Sequence, residues 1–418
     1  QGSVPAIVAQ QAVTDGNLVV MSRITTFDLP DGTSLVAHDL TTGEMLWETM
    51  LPSNFPDSWR SRVTAIRDGH VYATRSGNTN LEYLYALDPA DGTVVWESED
   101  LIDEGTTESP AFAESGDLIV GNFFSVMRID HEDGTTVWQS DRSCPTSNGC
   151  EAAVFDDRVY LWQASAAGPK VTAFDLAGGA ELYSSEGIGG GFIQQLGLLV
   201  GPDGTIYAPR TQNNPITDFF VALEDTGTAL QEKWSVPMGY TPFASFAVGP
   251  DGSVYSYSPD KEILRLDPDT GEILNTSIPL ESDFFQPRMA IDAVGRLFVT
   301  NGAFSKGTLF SFDVDLTLRW SETILNVNIG GPALGQGGIL IVCGIGTDVR
   351  AYQTSSPCEG DANGDGLVDP LDSGFVLARF GCPVGTGDPS CDAADQNGDG
   401  VVDPLDVGFV LARFGECP

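Results

Sequence analysis

The chain has 418 residues, with 59 acidic against 20 basic side chains for a formal net charge of −39, and it carries 48 Gly, 25 Pro and 7 Cys. So many turn residues exclude an all-helical protein, and so strong a negative charge repels phosphate backbones and anionic lipid, which sets a nucleic-acid partner aside. The apolar run around Ile339 to Ile345 falls well short of the ~20 residues of a spanning helix, so no membrane insertion is expected.

The chain opens on Gln1, without Met or a basic and apolar leader. That is the pattern expected of a secreted product, extracellular or at the cell surface, after signal-peptide removal. Cysteine placement points to an oxidising compartment: Cys144 and Cys150 bracket PTSNG as a local staple, and Cys358, Cys382, Cys391 and Cys417 frame the C-terminal segment. Cys343, inside ILIVCGIG, is expected to be a buried structural thiol.

From the N-terminus a hairpin phrase recurs every 41 to 51 residues. Its copies are VAHDLTTGEMLW (Val36 to Trp47), YALDPADGTVVW (to Trp96), MRIDHEDGTTVW (to Trp138), TAFDLAGGAELY (to Tyr183), VALEDTGTALQEKW (to Trp234), LRLDPDTGEILN (to Asn275) and FSFDVDLTLRW (to Trp320). Each is an alternating strand ending on an acid, a turn usually holding Gly, and a second strand ending near an aromatic. Gly supplies the φ > 0 position and the acid bonds the turn backbone, so the phrase predicts a β-hairpin. Eight strands of the type GNLVVMS, GHVYATR and GGILIVC, beginning between Gly16 and Gly338, stand before the hairpins or beyond the last of them, and a further short strand precedes each. Four antiparallel strands at this period are a β-propeller blade. Eight units fit within residues 1–354, with seven as the alternative, and the eighth lacks its fourth strand.

The phrase D-x-x-T-G-x-x-x-W resembles the repeat of PQQ-like (quinoprotein-type) propellers, and fits better than WD-repeat or sialidase-type patterns. The resemblance implies that Trp47, Trp96, Trp138, Tyr183, Trp234 and Trp320 pack between neighbouring blades. A quinoprotein dehydrogenase would be expected to show a vicinal Cys-Cys pair, which is missing, as are HxxxH, C-x-x-C-H and G-x-S-x-G among only three His (His38, His70, His131). No catalytic residue is assigned. Asn275 to Ser277 forms a glycosylation sequon where the sixth hairpin would carry Trp.

After a linker at 355–360 the chain changes character. Asp361 to Gly381 and Asp395 to Gly415 match at 18 of 21 positions, a second domain over 361–418. A calcium loop needs oxygens at positions 1, 3, 5, 7, 9 and 12, with Gly at 6. The first copy offers Asp361, Asn363, Asp365, the Leu367 carbonyl, Asp369 and Asp372; the second offers Asp395, Asn397, Asp399, the Val401 carbonyl, Asp403 and Asp406. Carboxylates so crowded repel unless a cation sits among them, so two Ca2+ ions are expected. Pro370 or Pro404 can open a helix, and Gly381 or Gly415 can end it. Leu371, Phe375, Ala378 and Phe380, with Leu405, Phe409, Ala412 and Phe414, are expected to supply the small core. Four cysteines allow three pairings, of which Cys358 with Cys417 and Cys382 with Cys391 is favoured.

Asp at position 12 and the absence of a helix-forming segment before either loop resemble dockerin domains (type I, duplicated calcium loop). The fold expected is thus an all-β propeller plus a small α-helical dockerin-like domain. The resemblance implies a cohesin-like partner bound through Pro370, Leu371, Arg379 and Phe380, or Pro404, Leu405, Arg413 and Phe414, in two orientations related by the duplication. Pro and Leu stand where cellulosomal dockerins commonly carry small hydroxyl residues. The function expected is a secreted, non-catalytic building block joined to other copies or to a surface scaffold through this tail, head-to-tail contact giving a filament. The alternatives are a cohesin-recruited binding or carbohydrate-active module, a periplasmic assembly factor similar to the outer-membrane lipoprotein propellers, and, last, a quinone-dependent enzyme.

Overall fold

Period-2 alternation puts every second side chain of a strand on one face of its sheet, and short sheets that are apolar on both faces can bury them by stacking around a ring. The computed structural model has that architecture. It describes the chain outside residues 1–6, 9–11, 25–31, 54–60, 76–81, 103–109, 122–123, 145–151, 188–196, 214–215, 240–244, 283–284, 304–306, 325–326, 328–329, 345–348, 354–358, 365–366, 386–388 and 417–418. Two compact units emerge, Gln1–Ala351 and Tyr352–Pro418.

The first unit is an eight-bladed propeller, which resolves the choice between seven and eight. Blades two to seven are four-stranded sheets with strands paired in sequence order, and blade one has an added strand, Ile7–Val8, against Leu18–Ile24. Among the described residues blade eight has three strands, Pro332–Leu334, Leu340–Val342 and Arg350–Tyr352. Arg350 ties the last of these to blade seven, pairing with Glu322 at 3.0 Å and donating to the Thr323 carbonyl at 3.1 Å. Blade one closes on blade eight through the Thr14 hydroxyl, which donates to the Leu334 carbonyl at 2.6 Å, and through an apolar cluster that joins Val19, Met21 and Leu40 to Ile339, Ile341 and Cys343. Cys343 is a reduced thiol in that cluster, and burial pushes it up to about 12, as suits a structural rather than a reactive group.

All seven hairpins carry a bulge at the same place. The register shifts between Ala37 and His38, and at the equivalent steps of the next six blades. A bulge bends the strand and re-aims its side chains; in six of the seven the residue beside it is the outer aromatic, and in blade six it is Asn275. In the turn, Asp39 accepts from the Thr42 and Thr41 amides, and the Thr42 amide and then its hydroxyl hold the carboxyl below the usual carboxylate range. The turn glycines have positive φ, +72° at Gly43 and Gly92 and +79° at Gly134.

These two features meet at the seams between blades. Trp47 Nε1 donates to the Pro89 carbonyl at 2.9 Å, Trp96 to His131 at 3.1 Å, Trp138 to Leu176 at 2.9 Å and Trp234 to Pro268 at 3.0 Å, each time in the next blade's turn. Each indole also lies against the turn glycine: a Cβ on Gly92 would fall 2.5 Å from the Trp47 ring, and Gly134, Gly179 and Gly271 meet Trp96, Trp138 and Trp234 as closely. The expectation that these aromatics pack between blades is met. Tyr183 does so differently, its hydroxyl donating to Asp225 at 2.8 Å while Arg158 Nε donates to it at 3.2 Å. Asn275 sits in the outer strand Ile273–Thr276 and accepts from Arg265 at 3.1 Å. Trp320 lies against Phe298 of its own blade, 6.4 Å between ring centroids, and is partly exposed, so the between-blade contact expected of it is not what this pair makes.

Gly43 and Gly92 share one φ, but nothing lies within 4 Å of a Cβ at Gly43. Gly43→Ala should therefore cost about 1–2 kcal/mol of left-handed backbone strain, and Gly92→Ala about 1–3 kcal/mol more from the clash with Trp47. Chemical denaturation of the two variants measures the difference.

Candidate functional site

Among its described residues the second unit has three short helices: α1 (Pro370–Leu377), α2 (Pro389–Ala394) and α3 (Pro404–Leu411). Pro at the first helical position and an acid before it start α1 and α3: Asp369 accepts from the Leu371 amide at 2.6 Å and Asp403 from the Leu405 amide at 2.7 Å. Asp372 and Asp406 complete a capping box by accepting from the Asp369 and Asp403 amides at 2.9 Å. Both helices end before Gly381 and Gly415, at C-caps Ala378 and Ala412.

Two sequence expectations are corrected here. A helix does precede the second loop: α2 carries Cys391 and Ala394 into the interior, where a disulfide from Cys391 to Cys382 holds it. The core is not built from the expected leucines and phenylalanines. It consists of Ala362, Val368, Val376, Ala394, Val402 and Val410, with Phe375 packed against it, while Leu371 and Leu405 are each 66% exposed and Phe380 and Phe414 are 42% and 46% exposed. The helices are apolar on several faces, so burial follows strand pairing: Leu367–Val368 pairs with Gly415–Glu416, and the Gly381 amide donates to the Val402 carbonyl at 3.0 Å. Each loop is thus tied to the segment after the other copy's helix.

The second loop is described throughout. Asp395 Oδ1 accepts from the Gly398 amide at 2.9 Å and the Asp399 amide at 3.1 Å, and its Oδ2 from the Gly400 amide at 2.9 Å. Asn397 Oδ1 accepts from the Asp399 amide at 2.8 Å, and Asp399 Oδ1 from the Val401 amide at 3.0 Å. Asp406 is fully buried, accepts from the Asn397 and Asp403 amides, and has no Lys or Arg partner among the described residues. In the first loop Asp361, Asn363, Leu367, Asp369 and Asp372 are described, and Asp372 accepts from the Asn363 amide at 2.9 Å as Asp406 does from Asn397. Asp365 lies outside the described residues.

No three of the described loop carboxylates bring their oxygens within 4.8 Å of one another. Like charges hold apart when backbone amides are their partners. The all-oxygen donor set, with a buried carboxylate at position 12, nevertheless fits a hard cation such as Ca2+.

The eight proposed partner-facing residues fall into two kinds. Pro370, Leu371 and Phe380, with Pro404, Leu405 and Phe414, begin or flank the two helices. The arginines fold back on their own helices: Arg379 stacks on Phe375 and donates to its carbonyl at 3.0 Å, and Arg413 stacks on Phe409, with an added ion pair to Glu359 at 2.8 Å. The Cys382–Cys391 bond is present, with 5.6 Å between Cα atoms. Cys144 is in a disulfide, and Cys150, Cys358 and Cys417 lie outside the described residues. The sequence reading missed a second polar cluster, Asp117, Asp130 and His131 in blade three, signalled by a histidine where the other hairpin blades have Leu40, Pro89, Leu176, Asp225, Pro268 and Val314.

The molecule is an eight-bladed repeat propeller followed by a small duplicated loop-helix unit. Among solved structures it is similar to BamB from Moraxella catarrhalis (16% identity, TM-score 0.57, 84% of this chain and 99% of that one) and to the C-terminal WD40 domain of Sif2 (12%, 0.61, 84% and 97%). It is also similar to KlHsv2 with loop 6CD replaced by a Gly-Ser linker (9%, 0.51, 76% and 99%). At such identities these likenesses describe the fold. No curated protein sequence matches. The chain belongs to the family described as outer membrane protein assembly factor BamB, which it matches over residues 6–123 and 31–277.

Replacing Cys382 and Cys391 with Ser should cost the C-terminal unit about 2–3 kcal/mol, since the bond closes a short loop. Hydrogen exchange over residues 359–416 of the full chain, with and without the substitutions, measures it.

Proposed function

We propose that this is a non-catalytic propeller building block, secreted to the cell exterior, whose duplicated C-terminal unit binds two Ca2+ ions and connects it to a protein partner. Another copy of the chain is the first partner considered and a cohesin-like module the second. The observation that carries this reading is the pairing of two pseudo-equivalent acidic loops with large apolar residues left exposed beside them, Leu371 and Phe380 in one copy, Leu405 and Phe414 in the other. So small a core gains stability from staples, and an exposed leucine–phenylalanine pair gains by being covered.

In each loop the carboxylates hold the backbone amides and keep oxygens for the ion, while the acids at positions 9 and 12 cap the helix that carries the exposed residues. Calcium would fix the loop, and the loop fixes the start of the helix. Propeller family membership favours a second reading, a scaffold in outer-membrane protein assembly. That role would need neither calcium nor self-association.

Titration calorimetry should count two Ca2+ per chain, falling to one in Asp399→Ala. Negative-stain microscopy in millimolar calcium should show fibres or sheets that disperse on chelation and do not form when Asp365 and Asp399 are both Ala. Assembly that survives the double substitution sinks the connector role; single particles in both conditions transfer it to a separate partner.

A further inference from the structure

Blade three departs from the repeat at two positions that face each other. The residue after the turn acid is Leu40, Pro89, Leu176, Asp225, Pro268 or Val314 in the other hairpin blades, and Pro89, Leu176 and Pro268 offer their carbonyls to the preceding Trp. In blade three it is His131, which keeps that role for Trp96 and adds an imidazole. The second position opens the second strand. In blade one it is Asn17, whose amide donates to the turn acid Asp39 at 2.6 Å. In blade three it is Asp117, so a carboxylate faces the turn acid Asp130 where blade one has a complementary amide.

The ligand atoms of Asp117, Asp130 and His131 all lie within 4.8 Å of one another, and no other such group occurs among the described residues. Asp117 is buried. Its Oδ1 meets His131 Nδ1 at 3.1 Å and the His131 amide at 3.5 Å, and its Oδ2 accepts from Arg128 Nε at 2.7 Å and lies 2.6 Å from Nη2. Arg128 also reaches Ser115 Oγ and the Leu176 carbonyl, and Asp130 Oδ1 accepts from the Glu132 amide. The guanidinium therefore occupies one oxygen of Asp117 and leaves the other facing the imidazole.

A second observation comes from blade two. Tyr72 is completely buried and its hydroxyl has no partner; the ring nitrogen Nδ1 of His70, two residues earlier, is also buried without one. Equivalent tyrosines show where this hydroxyl is aimed. Tyr160 donates to Asp225 at 2.7 Å and Tyr255 to the Val314 carbonyl at 3.5 Å, and both acceptors occupy the His131 position of the next blade. Tyr72 stands in the same register toward blade three. Asp68 of blade two is beside it too: a Cβ on Gly116 would lie 3.1 Å from both Asp68 Oδ2 and the His131 ring.

We propose that Asp117, Asp130 and His131 bind one divalent first-row transition ion of the zinc type, in a site separate from the C-terminal loops, with the Tyr72 hydroxyl closing it from blade two. An imidazole among carboxylates selects zinc, cobalt or nickel over calcium and magnesium. Three protein ligands leave a position for water, and that water gives the orphaned phenol a partner. The ion ties blade three to blade two beside Trp96.

The test uses the full chain with its calcium saturated. Visible absorption during Co2+ titration should show a saturable d–d band of one ion per chain that Zn2+ displaces. His131→Leu, which places the residue of blades one and four there, and Asp117→Asn, which restores the amide of blade one but gives up the charge facing Arg128, should each abolish the band or weaken uptake at least ~10-fold, with the circular dichroism of each metal-free variant showing it folded. Absence of saturable uptake in the unaltered protein, or a band that survives both variants, overturns the proposal. If one variant fails to fold, the other still decides.

Discussion

The propeller depends on one contact, an indole laid on a glycine. In four seams the outer-strand Trp donates to a carbonyl of the next blade's turn and covers the turn Gly with its ring. A Cβ there would occupy the ring's place. The turn must therefore be left-handed and unsubstituted, which the acid before it arranges by collecting the turn amides, and the outer strand must be bulged for the ring to reach. Some of the acidic residues that give the chain its charge are thus turn formers, and Asp91 and Asp133, held below the usual carboxylate range by the hydroxyls and amides of Thr93 and Thr135, stay ionised while doing so.

The C-terminal unit uses carboxylates in a parallel way. Asp372 and Asp406 accept from amides on both sides of the helix start, so the loop and the first turn of the helix are one structure. The unit keeps small residues, Val and Ala, for its interior, packs Phe375 against them and leaves Leu371, Leu405, Phe380 and Phe414 exposed.

The blades are legible in the sequence because alternation, Gly turns and the closing aromatic are local signals repeated many times. The sequence even marks the exceptions: Asn275 replaces the aromatic of blade six, and the turn of blade seven, which would have received it, has Leu316 rather than Gly. The tail is less legible. PLDSGFVL and PLDVGFVL are apolar around most of the helix, so periodicity selects no face, and the strand pairings that do select one join residues about 50 apart. The α2 segment, PSCDAA, has no pattern of its own and is helical where the Cys382–Cys391 bond and the buried Ala394 hold it. The blade-three cluster escapes notice because Asp117 and His131 meet only when the turn has folded.

Counting seams around the ring gives it a mechanical character. Indoles clasp blades one to two, two to three, three to four and five to six, and tyrosine hydroxyls serve four to five. Beyond blade six the clasps are the Tyr255 hydroxyl on the Val314 carbonyl from six to seven, the Arg350–Glu322 ion pair from seven to eight, and the apolar closure of blade eight on blade one. A closed ring cannot strain one joint without loading the others, and it yields where its joints are softest. The arc from blade seven through blade eight back to blade one, which has no indole clasp among the described residues, is therefore the compliant part of this propeller, and the arc from blade one to blade four its rigid frame.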